Sequence, residues 1–473
     1  MTFWTFLTVF EITWVVAISL TIVLERRSPV ATLAWIVALA WLPVVGIVVY
    51  YFFGPRRLRR RKLKRQEGAR LVARAMRELD AIVDDPRWTS LARLAIAAGE
   101  SPPLPAREVS LYLEGDAKFD AMLAAIRAAR HHVHVEYYIF EDDAVGRRVV
   151  DALVERAKQG VEVRLVLDGI GSYGLRGAVI APIEAAGGQV AWFNPVSGFR
   201  ARWANFRTHR KIVVCDGAVA FTGGINVSKD QSAAASGERA WRDTHLRFEG
   251  SAVRALQRVF LEDWCFASGR PPPSGDAYFP RVPAIGLDAS EHALVQVISS
   301  GPDRDLYAIQ QFFFGAITQA QRRLWLTTPY FVPDEATLAA LVAAGLRGVD
   351  VRVLVPRSSD NILVDLAARS YYPDLVRAGV KIHEYAGRML HAKTLVVDDE
   401  LAVVGTANFD NRSFRLNFEV IVAIYDARTT SDLAHAFEND LVRASPVKVR
   451  ELKDKRFFER LGEATARLFS PLL

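Results

Sequence analysis

Thr208-His-Arg-Lys-Ile-Val-Val-Cys-Asp216 returns in the second half of the chain as Leu390-His-Ala-Lys-Thr-Leu-Val-Val-Asp398. His209, Lys211, Asp216, Gly223 and Asn226 reappear as His391, Lys393, Asp398, Gly405 and Asn408, each displaced by 182 residues. A lone His-x-Lys is a weak signal, but five positions in one register mark an internal duplication. In a strand, residues i and i+2 point to the same face, so His209 and Lys211 reach one pocket, and so do His391 and Lys393.

Two histidines, each with a lysine two residues on, suit phosphoryl chemistry. One imidazole attacks phosphorus and forms a phosphohistidine. The other protonates the leaving oxygen, then deprotonates the acceptor. The lysines neutralise the phosphoryl oxygens. Asn226 and Asn408 offer further hydrogen bonds, and Gly223 and Gly405 let backbone approach the substrate. No metal or other cofactor is required, because cationic side chains supply the charge. A neutral, oriented histidine needs an acceptor on its second nitrogen. Asp243, opening Asp-Thr-His-Leu-Arg-Phe248, and Glu419, opening Glu-Val-Ile-Val-Ala-Ile424, are equivalent positions and candidate orienters. Asp216 and Asp398 are counted with the catalytic set, although at strand ends they could instead fix the following turn. His131, His132, His134, His245 and His383 lack such pairing and read as structural.

Outward from the motifs the chain alternates strands and helices. Residues 134–140, 161–167 and 190–193 read as strands, and 144–159 and 176–187 as helices. Gly348-Val-Asp-Val-Arg-Val-Leu-Val355 matches Gly160-Val-Glu-Val-Arg-Leu-Val-Leu167 at an offset of 188, which falls to 182 at the motif. The first copy therefore holds extra residues, within 195–207. The expectation is an α/β fold of two duplicated α/β/α sandwich domains. The boundaries read are 106–270 and 288–473, joined by a Pro-rich linker at 271–287.

Ahead of them, residues 3–24 are an apolar run broken only by Glu11, and 30–53 are a second run containing Pro43 and Gly46. Each is long enough for a bilayer core of roughly 30 Å. Residues 1–54 are therefore expected to form a two-helix transmembrane hairpin. Residues 55–105 then read as a basic juxtamembrane and helical linker. Residues 56–65 hold eight basic and no acidic side chains. The positive-inside rule puts residue 54 onward in the cytoplasm. Without that run the net charge of +7 disappears, leaving 52 basic against 53 acidic residues, which argues against a nucleic-acid partner. Cys215 and Cys265 alone make neither a disulfide framework nor a zinc spacing. Arg202 and Trp203, in the aromatic-basic stretch 196–207, are candidates for headgroup contact, since such rings favour the membrane interface. After residue 450 a basic and apolar tail reads as a helix with Phe457, Phe458, Leu461 and Leu468.

The paired His-x-Lys-x4-Asp motifs resemble the phospholipase D superfamily over roughly residues 106–473. The hairpin with Arg-Arg-Ser-Pro29, Thr222-Gly-Gly-Ile-Asn226 and Ser470-Pro-Leu-Leu473 look like bacterial cardiolipin synthases. The second copy has Gly405-Thr406 where that family often has Gly-Ser. The resemblance implies a multi-pass inner-membrane phosphatidyltransferase acting on membrane phospholipids. It converts two phosphatidylglycerol molecules to cardiolipin and glycerol, with His209 the nucleophile and His391 the acid/base. A hydrolytic phospholipase D, a nuclease and a non-catalytic lipid-binding scaffold are the competing readings. The near-neutral soluble part argues against the nuclease, and two intact motifs argue against the scaffold.

Overall fold

The two α/β halves expected from the duplication share one sheet in the computed structural model. The structure describes residues 3–24, 32–33, 36–37, 86–175, 177–195, 205–273, 275–280, 292–304 and 306–473. In the first half the strands are β1 (Leu104–Tyr112), β2 (His132–Tyr137), β3 (Glu162–Asp168), β4 (Gln189–Phe193), β5 (Lys211–Cys215), β6 (Val219–Gly223) and β7 (His245–Glu249). In the second they are β8 (Ala293–Ser300), β9 (Arg323–Thr327), β10 (Phe331–Val332), β11 (Asp350–Pro356), β12 (Lys381–Tyr385), β13 (Thr394–Val397), β14 (Leu401–Gly405), β15 (Phe409–Asp410), β16 (Glu419–Tyr425) and β17 (Ala444–Pro446). The spatial order β1-β7-β6-β5-β2-β3-β4 recurs as β8-β16-β14-β13-β9-β11-β12, with β17 added at the edge. β1 and β8 pair antiparallel, Leu104 opposite Val295, and so fuse the halves into a 15-stranded sheet.

Helices cover both faces, which explains why the central strands are continuous apolar runs rather than alternating ones. Helices α2 (Pro86–Ala97), α3 (Gly115–Ala128), α4 (Ala144–Lys158), α5 (Gly177–Ala185), α6 (Val253–Ser268), α7 (Ala308–Gln319), α8 (Glu335–Leu346), α9 (Ile362–Arg369), α10 (Asn411–Arg415), α11 (Ala427–Leu441) and α12 (Phe457–Arg467) follow α1 (Phe3–Leu24). α3, α4 and α5 pack on the outer face of the first half, while α2, α7, α8 and α9 pack on that of the second. α6 and α11 share a central core with residues from both halves of the sheet, among them Val214, Phe248, Val404 and Val422. Local sequence sets the helix limits. Asp143 caps α4 by accepting from Gly146 N, Val145, Val149, Val150 and Leu153 turn inward, and Gly160 at φ +84° ends the turn.

The expectation for the amino terminus is met only in part. The first apolar run is one helix, α1, of 22 residues. Among the described residues, however, no helix is long and apolar enough to cross a membrane. The second run lies outside the described residues except for 32–33 and 36–37, and so does the stretch 55–85 of the expected basic and helical linker. α1 belongs, with Asn205, to a unit distinct from the one that holds every other element.

Candidate active site

Lys211 opens β5 and Lys393 stands one residue before β13, so the two histidines lie just ahead of these strands. What holds them comes from the opposite half. His209 N donates to Phe418 O at 2.9 Å, and His391 N donates to Arg242 O at 2.7 Å. Phe418 and Arg242 each immediately precede the acidic residue of their own half. The carboxylates are therefore exchanged. His209 Nδ1 lies 3.0 Å from both carboxylate oxygens of Glu419, and His391 Nδ1 lies 2.6 Å from Asp243 Oδ2. Sequence equivalence identified both residues but could not reveal that each serves the other half's histidine. With Nδ1 occupied, Nε2 of each ring is left for chemistry.

Each lysine is tied to its own histidine. Lys211 Nζ donates to His209 O at 2.8 Å, and Lys393 Nζ to His391 O at 2.5 Å. All four side chains share one buried pocket, and their charges act on one another. Burial pushes His209 well below its ordinary value, and Lys211, Lys393 and His391 push it further. His391 is lowered by burial and by Lys393, with Asp243 opposing. Burial and then Lys393 bring Lys211 down to about 7; Lys393 falls to about 8, mainly by burial. The carboxylates differ. Burial raises Glu419 to about 7, whereas at Asp243 the pull of His391 and Lys393 outweighs burial and holds the carboxyl low.

Asn226 and Asn408 are buried, and each leaves its side-chain Oδ1 without a hydrogen-bond partner. A free buried amide end is costly unless something binds it. Tyr138 sets its ring edge against His209 at 4.9 Å, and Trp241 lies 5.1 Å from His391. Neither aromatic stands out in the sequence, since neither is repeated at the equivalent position. Thr406 is visible there as a departure from Gly-Ser. Its hydroxyl donates to Glu419 Oε2 at 2.6 Å.

Other expected site residues stand elsewhere. Asp216 and Asp398 lie at the far ends of their strands, roughly 16 Å from the lysines at 3.3 Å per residue. Asp216 accepts from the backbone N–H groups of Arg130, His131 and His132, and Asp398 from those of Gln321, Arg322 and Arg323. Both adopt positive φ, +54° and +51°. That conformation costs roughly 1–2 kcal/mol for a residue with a Cβ. Three hydrogen bonds to a carboxylate, at about 1.5–3 kcal/mol each, outweigh it. These aspartates therefore pin the turns into β2 and β9 rather than the turns that follow them, and they stand away from the histidine–lysine pairs. The room expected at Gly223 and Gly405 is taken by the adjacent strand. A Cβ at Gly223 would lie 2.6 Å from His245 Cα, and one at Gly405 2.6 Å from Val420 O. Arg202 and Trp203 fall outside the described residues. Among the described residues no group of three His, Cys, Asp or Glu side chains is placed to hold a metal ion.

The duplicated halves have counterparts in known proteins. Residues 122–264 and 313–441 both match the family described as "Cardiolipin synthase, PLD-like domain". Residues 12–55 match the family described as "Phospholipase_D-nuclease N-terminal". The chain is 39% identical over 469 residues to cardiolipin synthase 1 of Bacillus anthracis, covering 97% of this chain and 92% of that one. The chain belongs to the cardiolipin synthase family. Cardiolipin synthase of Geobacillus kaustophilus is similar at 40% identity, again over 97% and 92% of the two chains. Among solved structures, phosphatidylserine synthase of Haemophilus influenzae superposes with a TM-score of 0.59, covering 80% of this chain and 99% of that one. At 14% identity that likeness concerns the fold alone.

Proposed function

We propose that this chain joins two phosphatidylglycerol molecules into cardiolipin and releases glycerol, through a phosphatidyl-histidine intermediate. The observation that carries the reading is the pocket itself: two histidines, each with Nδ1 on a buried carboxylate, flanked by two lysines. His209 Nε2 attacks the phosphorus of the first lipid. The bond from phosphorus to the glycerol oxygen breaks, and His391, as imidazolium, gives that oxygen its proton. The terminal hydroxyl of a second phosphatidylglycerol then attacks phosphorus and yields its proton to His391, and the P–N bond breaks. Burial disfavours imidazolium in the empty pocket, but the anionic phosphodiester restores it. Lys211, Lys393, Asn226 and Asn408 meet the phosphoryl oxygens as charge builds there.

One phosphodiester replaces another, so the exchange is nearly neutral in energy, and the alcohol that meets the intermediate decides the product. Confinement to a bilayer raises the effective concentration of lipid alcohol over water. The two apolar runs of 1–54 and the match at 12–55 support a two-span membrane anchor with the catalytic halves in the bacterial cytoplasm. A cysteine at Ser28 should then react with an impermeant thiol reagent in intact cells, and one at Gln66 should not.

Purified full-length protein in phosphatidylglycerol micelles tests the reaction. Glycerol and cardiolipin should accumulate, and added glycerol should drive cardiolipin back to phosphatidylglycerol. Phosphatidic acid as the main product, indifferent to glycerol, would establish the hydrolytic phospholipase instead.

A further inference from the structure

α12 is amphipathic in the inverted sense. At 100° per residue, Phe457, Leu461 and Leu468 share one face with Phe458 on its border. A helix normally turns such a face inward. Here the buried residues are Glu463 and Ala466, while Phe457 is 70% exposed, Phe458 81%, Leu461 50% and Leu468 78%. Phe469 and Leu472 continue the apolar surface beyond the helix. The side that packs does so against α9, whose first residue, Ile362, is itself 77% exposed. Isolated exposed apolar residues are ordinary; a contiguous group of this size marks an interaction surface.

The strip is also basic. Residues 447–473 contain seven Lys or Arg and four Asp or Glu. All four acids are engaged locally: Glu463 takes Lys455, Asp454 pairs with Arg450 at 3.4 Å, and Glu451 and Glu459 accept from the backbone of Lys448 and Arg456, so the strip keeps a net positive charge. Arg460 and Arg467 both border the apolar face along one edge of the helix wheel. Large apolar residues bordered by cations are the composition of a helix lying in a bilayer interface. A second copy of the chain would set the same basic strip against itself, which disfavours a symmetric protein contact.

This surface is built onto the active site. Arg412 N donates to Leu473 O at 2.8 Å, and Asn411 Nδ2 donates to Ser470 O at 3.1 Å. Asn411 and Arg412 open α10, three and four residues after Asn408 of the pocket. Tyr371 OH secures Ser470 from the other side at 2.9 Å. We propose that α12 and the terminal segment form an interfacial docking surface for the anionic bilayer, holding the pocket mouth at the headgroup level where its lipid substrates lie. The inference deepens the reading of this chain as an enzyme of membrane phospholipids and rests on it.

The test uses full-length protein with a bimane fluorophore on Phe458→Cys in a Cys265→Ser background. It is reconstituted in phosphatidylglycerol vesicles whose acyl chains carry a shallow nitroxide. Bimane should be quenched there and much less in phosphatidylcholine vesicles. A label on Lys158→Cys, beside the amino end of β3 and away from the motif ends, should be unaffected. Replacing Phe457, Phe458 and Leu461 together with Ser should raise KM for vesicle phosphatidylglycerol about tenfold or more, given the apolar area removed. Turnover in mixed detergent micelles should persist, and so should the melting curve, because these side chains are exposed. No quenching at 458, or equal quenching in both vesicle types, overturns the proposal. Contact between labels on two copies without lipid quenching overturns it in favour of self-association. Quenching at 458 by a protein that makes no cardiolipin would leave the docking surface intact and refute the proposed reaction.

Discussion

The two halves carry the same motif, yet their surroundings differ at nearly every layer behind it. Asp243 sits against Gly224, where a Cβ would come within 2.0 Å of its Oδ1. Glu419, one carbon longer, faces Thr406 and accepts from it, and its Oε1 accepts from Asn417 Nδ2 at 3.1 Å. Trp241 occupies the place that Asn417 takes in the second half. In the first half, Lys118 is buried and donates to Tyr137 OH at 2.7 Å, and His245 keeps both ring nitrogens unpartnered. In register, Ile309, Thr328 and Ile421 stand at those three positions in the second. Motif symmetry thus sets what the groups are, and the unlike shells decide how each behaves. His391 is backed by a carboxylate held low and His209 by one raised to about 7. That contrast suits His391 to holding a proton and His209 to attacking as a neutral base.

The largest effects should come from breaking the crossed pairs. His209→Ala and His391→Ala should each lower turnover about a thousandfold or more, since the proposed reaction gives each a step the other cannot perform. Asp243→Asn should resemble His391→Ala and Glu419→Gln should resemble His209→Ala, with losses of roughly a hundred- to ten-thousandfold. Phosphatidyl-p-nitrophenol separates the roles, because its leaving group needs no proton. Asp243→Asn should give a burst of nitrophenol and acid-labile phosphatidyl label on His209, and Glu419→Gln should give none. Label on His391 in the Glu419 variant would exchange the two roles, and pairing within each half would produce the opposite grouping of variants.

A smaller, graded effect should follow from the residues behind the carboxylates. Gly224→Ala drives a methyl into Asp243 and should cost roughly a hundredfold in kcat, as misplacement of an orienting group does. Thr406→Ala removes one hydrogen bond and should cost about tenfold, in line with roughly 1–1.5 kcal/mol for such a bond. Thr406→Ser, which keeps the hydroxyl, should restore the rate. Equal losses in Gly224→Ala and Thr406→Ala would mean that the two shells are equivalent after all.

The mildest contrast is between the lysines. With values of about 7 for Lys211 and about 8 for Lys393, positive charge leaves the pocket as pH rises through that window. Affinity for glycerophosphoglycerol, whose single phosphodiester charge does not change, should fall roughly tenfold between pH 6 and 9, about the worth of one pKa unit. Lys211→Met should abolish the lower inflection and keep the upper one. In the empty protein the sign is opposite for stability. Above pH 7 the folded state binds fewer protons than the unfolded one, whose lysines titrate near 10.4, so these two groups make stability rise toward pH 10. A binding profile flat from pH 6 to 9 would show that both lysines stay charged.

Much of this was legible in the chain alone. A duplication in register, β-rich runs separated by helical spacing, and two His-x-Lys pairs define the α/β halves, the motif strands and the phosphoryl chemistry, because these depend on local periodicity and on residue type. The family resemblance drawn from those residues agrees with the comparisons. Tertiary structure decided the rest. The pairing of β1 with β8, which joins the halves, depends on edges that no local pattern names. The exchange of Asp243 and Glu419 depends on where the segments before β7 and β16 enter, which a symmetric sequence cannot distinguish from pairing within each half. The role of Asp216 and Asp398 at the turns into β2 and β9 needed the partner backbone about 80 residues away to be seen. Spacing brings a side chain to one face of its own strand; only the packing of two strands from different halves determines which charge it meets there.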